Sequence, residues 1–394
     1  MGPLTVALVH NFYQHPGGED VVFRAEAELL ERCGHQVLRY TLDNDAIART
    51  PRAALAGATV WNRGAYRDLR RLLAGRGVDV VHFHNTFPLV SPAAYYAAHA
   101  EGAVVVQTLH NFRLLCASAN LFRDGRPCEA CVGRSVAWPG VVHGCYRGSR
   151  AASAVTAAML AAHAAAGTWG REVDVYVALS EFARGRFVAH GLPADRVVVK
   201  PNFVAADPGA GRHGGGFALY AGRLAAEKGV GTLLDAWARL GPGYALRVAG
   251  DGPLARRVAA AGGGVEWLGQ RSAAEVTAAM QDATVLVFPS EWHEPFGLTL
   301  VEALATGLPV IATARGAAPE IIEDGVTGRL VPPGDPDALA AAVAWAFDRP
   351  RELAAMGARA RAAYAARYGA ARGYENLMAV YGAARARAAT THRS

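Results

Sequence analysis

The run Pro289 to Glu302 reads Pro-Ser-Glu-Trp-His-Glu-Pro-Phe-Gly-Leu-Thr-Leu-Val-Glu, with seven residues between Glu294 and Glu302. Glu294 follows an apolar strand-like run at its carboxyl end, which is where open α/β sheets hold their ligands. Pro295-Phe296-Gly297 then turns the chain into a helix. Free N–H groups and a positive dipole end at that turn suit phosphate or sugar oxygens. Glu302, about two turns further in, is placed to accept hydrogen bonds from a ribose diol. An acid set at a helix start for the dipole alone explains one glutamate, and it leaves the loop and the glycine unexplained.

Two other residue types stand out for scarcity and spacing. Of 40 basic residues only Lys200 and Lys228 are lysine, in a chain rich in Ala, Gly and Arg. An ammonium is a compact point charge that a guanidinium does not copy, so a lysine kept against that bias carries information. Four of the five cysteines, Cys116, Cys128, Cys131 and Cys145, are spaced C-x11-C-x2-C-x13-C in a Gly/Pro/Arg-rich stretch. C-x2-C is a metal-knuckle spacing, and four thiolates complete a tetrahedral shell, so one structural zinc is expected there. A reducible disulfide pair or free thiols are the alternatives. Cys33 stands apart as a small buried residue.

These groups need elements to position them. The 394 residues, 52% of them apolar, suffice for two α/β domains with their own cores. Strand-like runs at Thr5–His10, Gln36–Tyr40, Val78–His82, Ala103–Leu109, Val173–Leu179 and Val197–Lys200 alternate with helical patterns such as Asp20–Arg32 and Ala93–Ala100. The alternation restarts with Phe217–Gly222, Ala245–Ala249, Val265–Leu268, Val285–Pro289, Pro309–Ala312 and Arg329–Val331. Apolar strands between helices predict parallel sheets covered on both faces. The expected organisation is an N-terminal domain over 1–204 with a cysteine-rich insert at 116–145, and a linker over 205–216. A second domain follows over 217–370, then a C-terminal helix and tail over 371–394 that pack back on the first. Within the linker, Gly209, Gly211 and Gly214 match G-x-G-x-x-G, but the match follows a Pro-bearing loop and precedes a strand. A dinucleotide fingerprint has the reverse order, so this one reads as a connector.

Charge and hydropathy exclude some classes. The net charge of +6 is scattered, which argues against nucleic acid and suits anionic small molecules or a membrane surface equally well. Ala151 to Trp169 carries no Asp, Glu, Lys or Arg but is mostly alanine, so it reads as a packed helix rather than a membrane span. Leu4 to Val9 is short, has no basic flank and reads as a first strand. A cytoplasmic protein, at most peripheral to a membrane, is expected.

Several short motifs fall in one order along the chain: Gly17-Gly18-Glu19, His82-Phe-His84, Thr108-Leu-His110, Pro201-Asn202, Gly222-Arg223-Leu224, Glu227-Lys228-Gly229, Gly250-Asp-Gly252-Pro253, Gly269, and the Glu294/Glu302 pair running on to Gly307. In this the sequence resembles the retaining glycosyltransferases of family 4, across essentially the whole chain. The resemblance implies the GT-B fold: two Rossmann-like, doubly wound domains facing across a cleft. It implies that Arg223 and Lys228 stabilise the charge left on a departing nucleotide diphosphate in place of a metal, and that His110 meets the donor sugar. Glu294 would hold sugar hydroxyls, beside backbone amides of Phe296, Gly297 and Leu298, and Glu302 would hold the ribose. Gly17, Gly18, Gly222 and Gly250 would line the donor, with Gly269, Gln270 and Arg271 near the base. His82 and His84 receive no catalytic role. One departure from the family pattern is Phe203, where Asn202 is often followed by glycine.

The function so implied is transfer of a sugar from a nucleotide diphosphate donor, a UDP-sugar favoured, to a hydroxyl on a glycan, lipid-linked sugar or natural product. Retention proceeds through an oxocarbenium-like state, the leaving phosphate taking the acceptor proton, with no cofactor required for catalysis. Two alternatives share the nucleotide pocket: a nucleotide-sugar epimerase and a non-catalytic sugar-nucleotide binding protein.

Overall fold

The computed structural model describes residues 2–14 and 17–391. The chain forms two units. Unit 1 comprises the chain up to Leu121, Glu129–Asn202 and the segment from Gly373 onward; unit 2 comprises Phe122–Cys128 and Phe203–Arg372.

Unit 1 is built on a six-stranded parallel sheet, in the order β2-β1-β3-β4-β7-β8. Its strands are β1 (Thr5–Phe12), β2 (Gln36–Asp43), β3 (Val80–Phe83), β4 (Val104–Leu109), β7 (Val175–Ala178) and β8 (Val197–Val199). Successive side chains of a strand point to opposite faces, and the valine-rich runs therefore feed two cores. Ala7, Val9, Val81, Phe83 and Val105 belong to one; Val6, Leu8, Val80, Val106 and Val177 belong to the other. The second core is closed by the last helix, Ala370–Thr391, through Leu377, Val380, Tyr381 and Ala384. Arg387 of the same helix pairs with Asp195 at 2.6 Å. Between β4 and β7, β5 (Phe122–Arg123) and β6 (Arg126–Pro127) form a short antiparallel hairpin that the strand patterns did not predict.

Unit 2 repeats the architecture. Strands β9 (Phe217–Ala221), β10 (Ala245–Ala249), β11 (Val265–Gly269), β12 (Val285–Phe288), β13 (Val310–Thr313) and β14 (Gly328–Val331) form a parallel sheet, ordered β11-β10-β9-β12-β13-β14. In each unit the order reverses beside the first strand. Such a switch point leaves a crevice at the carboxyl ends of the strands, where ligands bind.

Three expectations need correction. Residues 205–216 are not a free connector: Gly211 N–H donates to the Thr306 carbonyl at 2.8 Å, Arg212 and His213 N–H donate to the Gln281 carbonyl, and Asp207 pairs with Arg361 at 2.5 Å. Satisfying these backbone groups ties the segment to unit 2 from Phe203 onward. Ala151 to Trp169 is not one helix. The helix Arg150–Ala165 stops before Gly167, whose left-handed φ of 70° starts a separate turn, Thr168–Arg171. Among the described residues no helix is long and apolar enough to cross a membrane. Lastly, Glu302 lies little more than one turn into its helix, Leu298–Thr306.

Candidate active site

In unit 1 the sequence-marked residues gather where β1, β3 and β4 end. His82 and His84 come from the end of β3 and His110 directly follows β4. The two strands are neighbours in parallel register, so their ends meet although the histidines are 26 residues apart. His84 Nδ1 lies 3.0 Å from His110 Nε2 with the rings stacked, and His82 Nε2 lies 2.7 Å from Thr108 Oγ1. Behind them Glu26, from the helix Gly18–Arg32, and Lys200, just past β8, form a sealed ion pair at 2.6 Å. Burial first, then the neighbouring imidazoles that would repel a second proton and the Lys200 ammonium, hold His84 and His110 well below the usual imidazole range; burial pushes His82 down to about 4. All three rings are therefore neutral at pH 7.

The glycine turn has its own internal bonds. The Asp20 carboxylate accepts from Gly17 N–H at 2.8 Å and lies 2.6 Å from His10 Nε2. The amide of Gly17 is thus engaged within the unit, while Gly18 is exposed. Glu19 accepts from Tyr13 Oη at 2.8 Å and from Asn111 Nδ2 at 3.0 Å. Burial raises its carboxyl to about 7 against those two hydrogen bonds, and its Oε2 has no hydrogen-bond partner. This places a carboxyl titrating near neutrality beside the residue that follows His110. Its motif named Glu19, but nothing in the sequence signalled its burial.

In unit 2 the centre is Glu294. Its Oε2 accepts from Lys228 Nζ at 2.7 Å, from Trp292 Nε1 at 2.7 Å and from Ser290 Oγ at 3.3 Å. The Lys228 ammonium also stands 4.8 Å over the Trp292 ring. Lys228 is on the short turn Ala226–Lys228 after β9, and Glu294 is in the loop after β12. Gly229 joins the two loops: at φ 70°, a Cβ there would strike the Pro289 carbonyl. Trp292 was not singled out in the sequence, yet it orients the carboxylate together with the lysine. Arg223 is more open, its side chain 64% exposed and 3.9 Å from Glu227.

The helix Leu298–Thr306 begins at Gly297, with no side-chain cap. The N–H groups of Leu298 and Thr299 have no partner among the described residues, and Phe296 is buried beneath. Burial raises the Glu302 carboxyl. Gly250 packs its backbone on Gly222, where a Cβ would meet the Gly222 carbonyl, so the close approach of the two turns already requires glycine there. Gly269 ends β11 and accepts from Gly250 N–H at 2.8 Å. Gln270 is exposed, and Arg271 is drawn to Glu275 at 3.2 Å.

Cys116 and Cys131 of the insert lie in different packing environments. In a tetrahedral zinc–thiolate site with Zn–S of about 2.3 Å, the sulfurs lie within roughly 4 Å of one another. Among the described residues, the sulfurs of Cys116, Cys131 and Cys145 do not form a group of three within 4.8 Å of one another. Apolar and cation–π packing orders the insert. Cys116 lies in the main core of unit 1, 3.2 Å from Ser118 Oγ. Cys131 lies in a separate small core with Phe87, Ala137, Ala157, Met159 and Leu160. The Arg113 guanidinium stacks over Phe87 and Tyr146 at 4.2 and 5.0 Å.

Residues 16–207 match the family model described as Glycosyltransferase Family 4, and residues 209–363 match that of Glycosyl transferases group 1. The chain belongs to the family 4 glycosyltransferases. This glycosyltransferase is 35% identical over 197 residues to a phosphatidyl-myo-inositol mannosyltransferase of Mycobacterium leprae, covering 44% of this chain and 50% of that one. It is 34% identical over 221 residues to a D-inositol 3-phosphate glycosyltransferase of Mycolicibacterium paratuberculosis, 53% of this chain and 45% of that one. The chain thus spans about half the length of the curated relatives it matches. Among solved structures, Anabaena HepE in complex with UDP and glucose superimposes with a TM-score of 0.69 at 18% identity, over 96% of this chain and 99% of that one. Sucrose-phosphate synthase from Thermosynechococcus elongatus gives 0.71 at 19%, over 96% and 98%. The glycosyltransferase shares their GT-B fold of two Rossmann-like domains.

Proposed function

We propose that the chain moves a sugar, with retention, from a nucleotide diphosphate donor to a hydroxyl acceptor, and needs no metal at the diphosphate. The observation that carries this is the Lys228–Glu294 pair, 2.7 Å apart, beside the unpartnered N–H groups at the start of the helix Leu298–Thr306. When the anomeric carbon–oxygen bond of the donor breaks, its electron pair goes to a phosphate oxygen. The Lys228 ammonium and the Arg223 guanidinium, both fixed positive charges, stabilise that developing charge without proton transfer. The unpartnered N–H groups supply further donors at a positive dipole end. Glu294, held by Lys228, Trp292 and Ser290, presents its other oxygen to sugar hydroxyls. The acceptor oxygen bonds to the anomeric carbon on the face the phosphate leaves, and its proton passes to the leaving phosphate. The paired glutamates act as donor-binding groups in this scheme, not as the acid and nucleophile of a hydrolase.

HepE, with its UDP and glucose, supports a UDP-sugar as the favoured donor. The acceptor class is a hydroxyl on a glycan, a lipid-linked sugar or a natural product. Thermal-shift screening against UDP-, GDP-, ADP- and TDP-sugars tests the donor, because a ligand raises the melting temperature of the state it binds. Product analysis with EDTA present then tests the reaction. The expected result is stabilisation by one nucleotide sugar and a transferred sugar of unchanged anomeric configuration. An epimerised free sugar, an inverted product or an absolute need for a divalent ion at the diphosphate counts against the reading.

A further inference from the structure

Behind the His110 side of unit 1 lies a chain of buried groups that the reaction scheme leaves unused. Glu26 and His84 are essentially sealed from solvent, and His110 is partly open. Each member of the chain meets the next. Lys200 Nζ is 2.6 Å from Glu26 Oε1, Glu26 Oε2 faces His84 Nε2 at 3.5 Å, and His84 Nδ1 is 3.0 Å from His110 Nε2. Neither Glu26 Oε2 nor His84 Nε2 has a hydrogen-bond partner, and Glu26 Oε2 also lies 3.6 Å from His82 Nδ1, which is already engaged by Tyr381. Glu26, His82 and His84 are also the one group of side chains among the described residues whose ligating atoms cluster within 4.8 Å. A cation already sits there, however, in the Lys200 ammonium. His82 is likewise engaged at both nitrogens, by Thr108 Oγ1 at 2.7 Å and Tyr381 Oη at 3.0 Å. The cluster is therefore an ordered array of hydrogen bonds and one close electrostatic contact, Glu26 Oε2 to His84 Nε2, and not a vacant metal shell.

We infer that Glu26 and His84 are positioning residues that fix the tautomer of His110. A carboxylate oxygen facing an imidazole nitrogen across a buried gap repels a lone pair and attracts a proton, so His84 carries its hydrogen on Nε2. Its Nδ1 then has only a lone pair, which accepts the Nε2–H of His110. His110 is left with an unprotonated Nδ1 that has no other hydrogen-bond partner among the described residues. Burial keeps both rings neutral, as this arrangement requires. His110 thus offers its surroundings a hydrogen-bond acceptor, the form that receives a hydroxyl proton donor. A second-position carboxylate setting a histidine tautomer in this way has precedent in the physics of catalytic histidines. The consequence for turnover rests on the reading of His110 as a donor-sugar contact; the tautomer itself does not.

The test is nitrogen-15 NMR of the histidine rings in the ligand-free full chain, with His110→Gln used to assign the His110 signals. Wild type should show His110 protonated on Nε2 and bare on Nδ1. In His84→Phe, which keeps a ring and removes the acceptor, His110 should become a mixture of tautomers. Glu26→Gln should do the same by freeing His84 to turn over its own proton. That variant strands the Lys200 charge and can fail to fold, so His84→Phe is the deciding one. With a productive nucleotide sugar in hand, kcat should fall about tenfold in His84→Phe, the loss of one well-directed hydrogen bond, with a smaller change in KM. A wild-type His110 protonated on Nδ1, or an unchanged tautomer in His84→Phe, overturns the inference. If no nucleotide sugar binds but the tautomers behave as stated, the proposed function fails and this inference stands.

Discussion

The two lysines of the chain form nearly the same bond and do opposite things. Lys200 meets Glu26 at 2.6 Å and Lys228 meets Glu294 at 2.7 Å. The first pair is closed off, with side-chain exposures of 1% and 0%; the second is open, at 23% and 10%. A sealed pair has already lost its water and is supported only by its own geometry, so breaking it leaves a bare buried charge. An open pair keeps part of its hydration and can exchange a partner for a ligand. Lys200 is thus committed to the architecture of unit 1, whereas Lys228 keeps part of its surface open to solvent. Distance alone does not separate a structural ion pair from a functional one; access to solvent does.

The largest effect expected from this contrast is on stability. Lys200→Met should cost about 3–5 kcal/mol, read as a shift in the urea midpoint, because Glu26 is left buried and unpaired. The double variant Glu26→Gln/Lys200→Met should recover most of it. If Lys200→Met unfolds no more easily than wild type, the pair is not sealed in solution and the contrast collapses.

Next in size is an effect on turnover. Lys228→Ala and Arg223→Ala should each lower kcat by roughly 10²-fold or more through lost transition-state electrostatics, with little change in melting temperature. Glu294→Ala should behave similarly. A Lys228→Ala enzyme that loses its fold along with its activity would make the second pair structural like the first.

A third, smaller effect concerns pH. Burial lifts the Glu19 carboxyl from 4.5 to about 7, so between those values the folded protein holds a proton that the unfolded chain has released. Stability from this group is therefore lost as pH rises through that window. Glu19→Gln should match wild type near pH 4.5 and become relatively more stable toward pH 8, measured as the difference in urea midpoint across the range. A parallel pH dependence in the two proteins would place Glu19 in water.

The smallest expected effect is of metal removal. Because the sulfurs of Cys116, Cys131 and Cys145 do not converge, dialysis against a strong chelator should leave the melting temperature unchanged, and purified protein should carry no stoichiometric zinc. Zinc retained at one equivalent and lost in Cys128→Ser/Cys131→Ser would instead establish a structural zinc site in the insert.

What the sequence disclosed follows from the range of the forces involved. Runs such as Val78–His82 and Val285–Pro289 announce buried parallel strands because both faces must be apolar. Lys228 and Glu294 were legible because strand ends and glycine turns are local features, although Trp292 beside them was not. The packing of the cysteine insert was hidden because its order comes from residues far along the chain. Phe87 and Leu160 complete its small core, and no local spacing reports that. The His84–His110 contact was hidden for a related reason: each histidine is locally unremarkable, and only the β3–β4 neighbour relation brings them together. Lys200 was marked by its rarity, but its partner Glu26 lies 174 residues earlier.

Unit 1 also carries a consequence for the order of synthesis. Its sheet is encoded in roughly the first half of the chain, but its second core is closed by Leu377, Val380 and Tyr381, and the Tyr381 hydroxyl meets His82 across 299 residues. Domains tend to fold as they leave the ribosome, and unit 2 can therefore be complete while unit 1 still lacks a wall. Until the final helix arrives, Leu8, Val106 and Val177 wait without their cover, next to Glu26 and its histidines. The domain begun first is finished last, and a nascent chain stalled before Gly373 would present that apolar face to chaperones instead of to its own terminal helix.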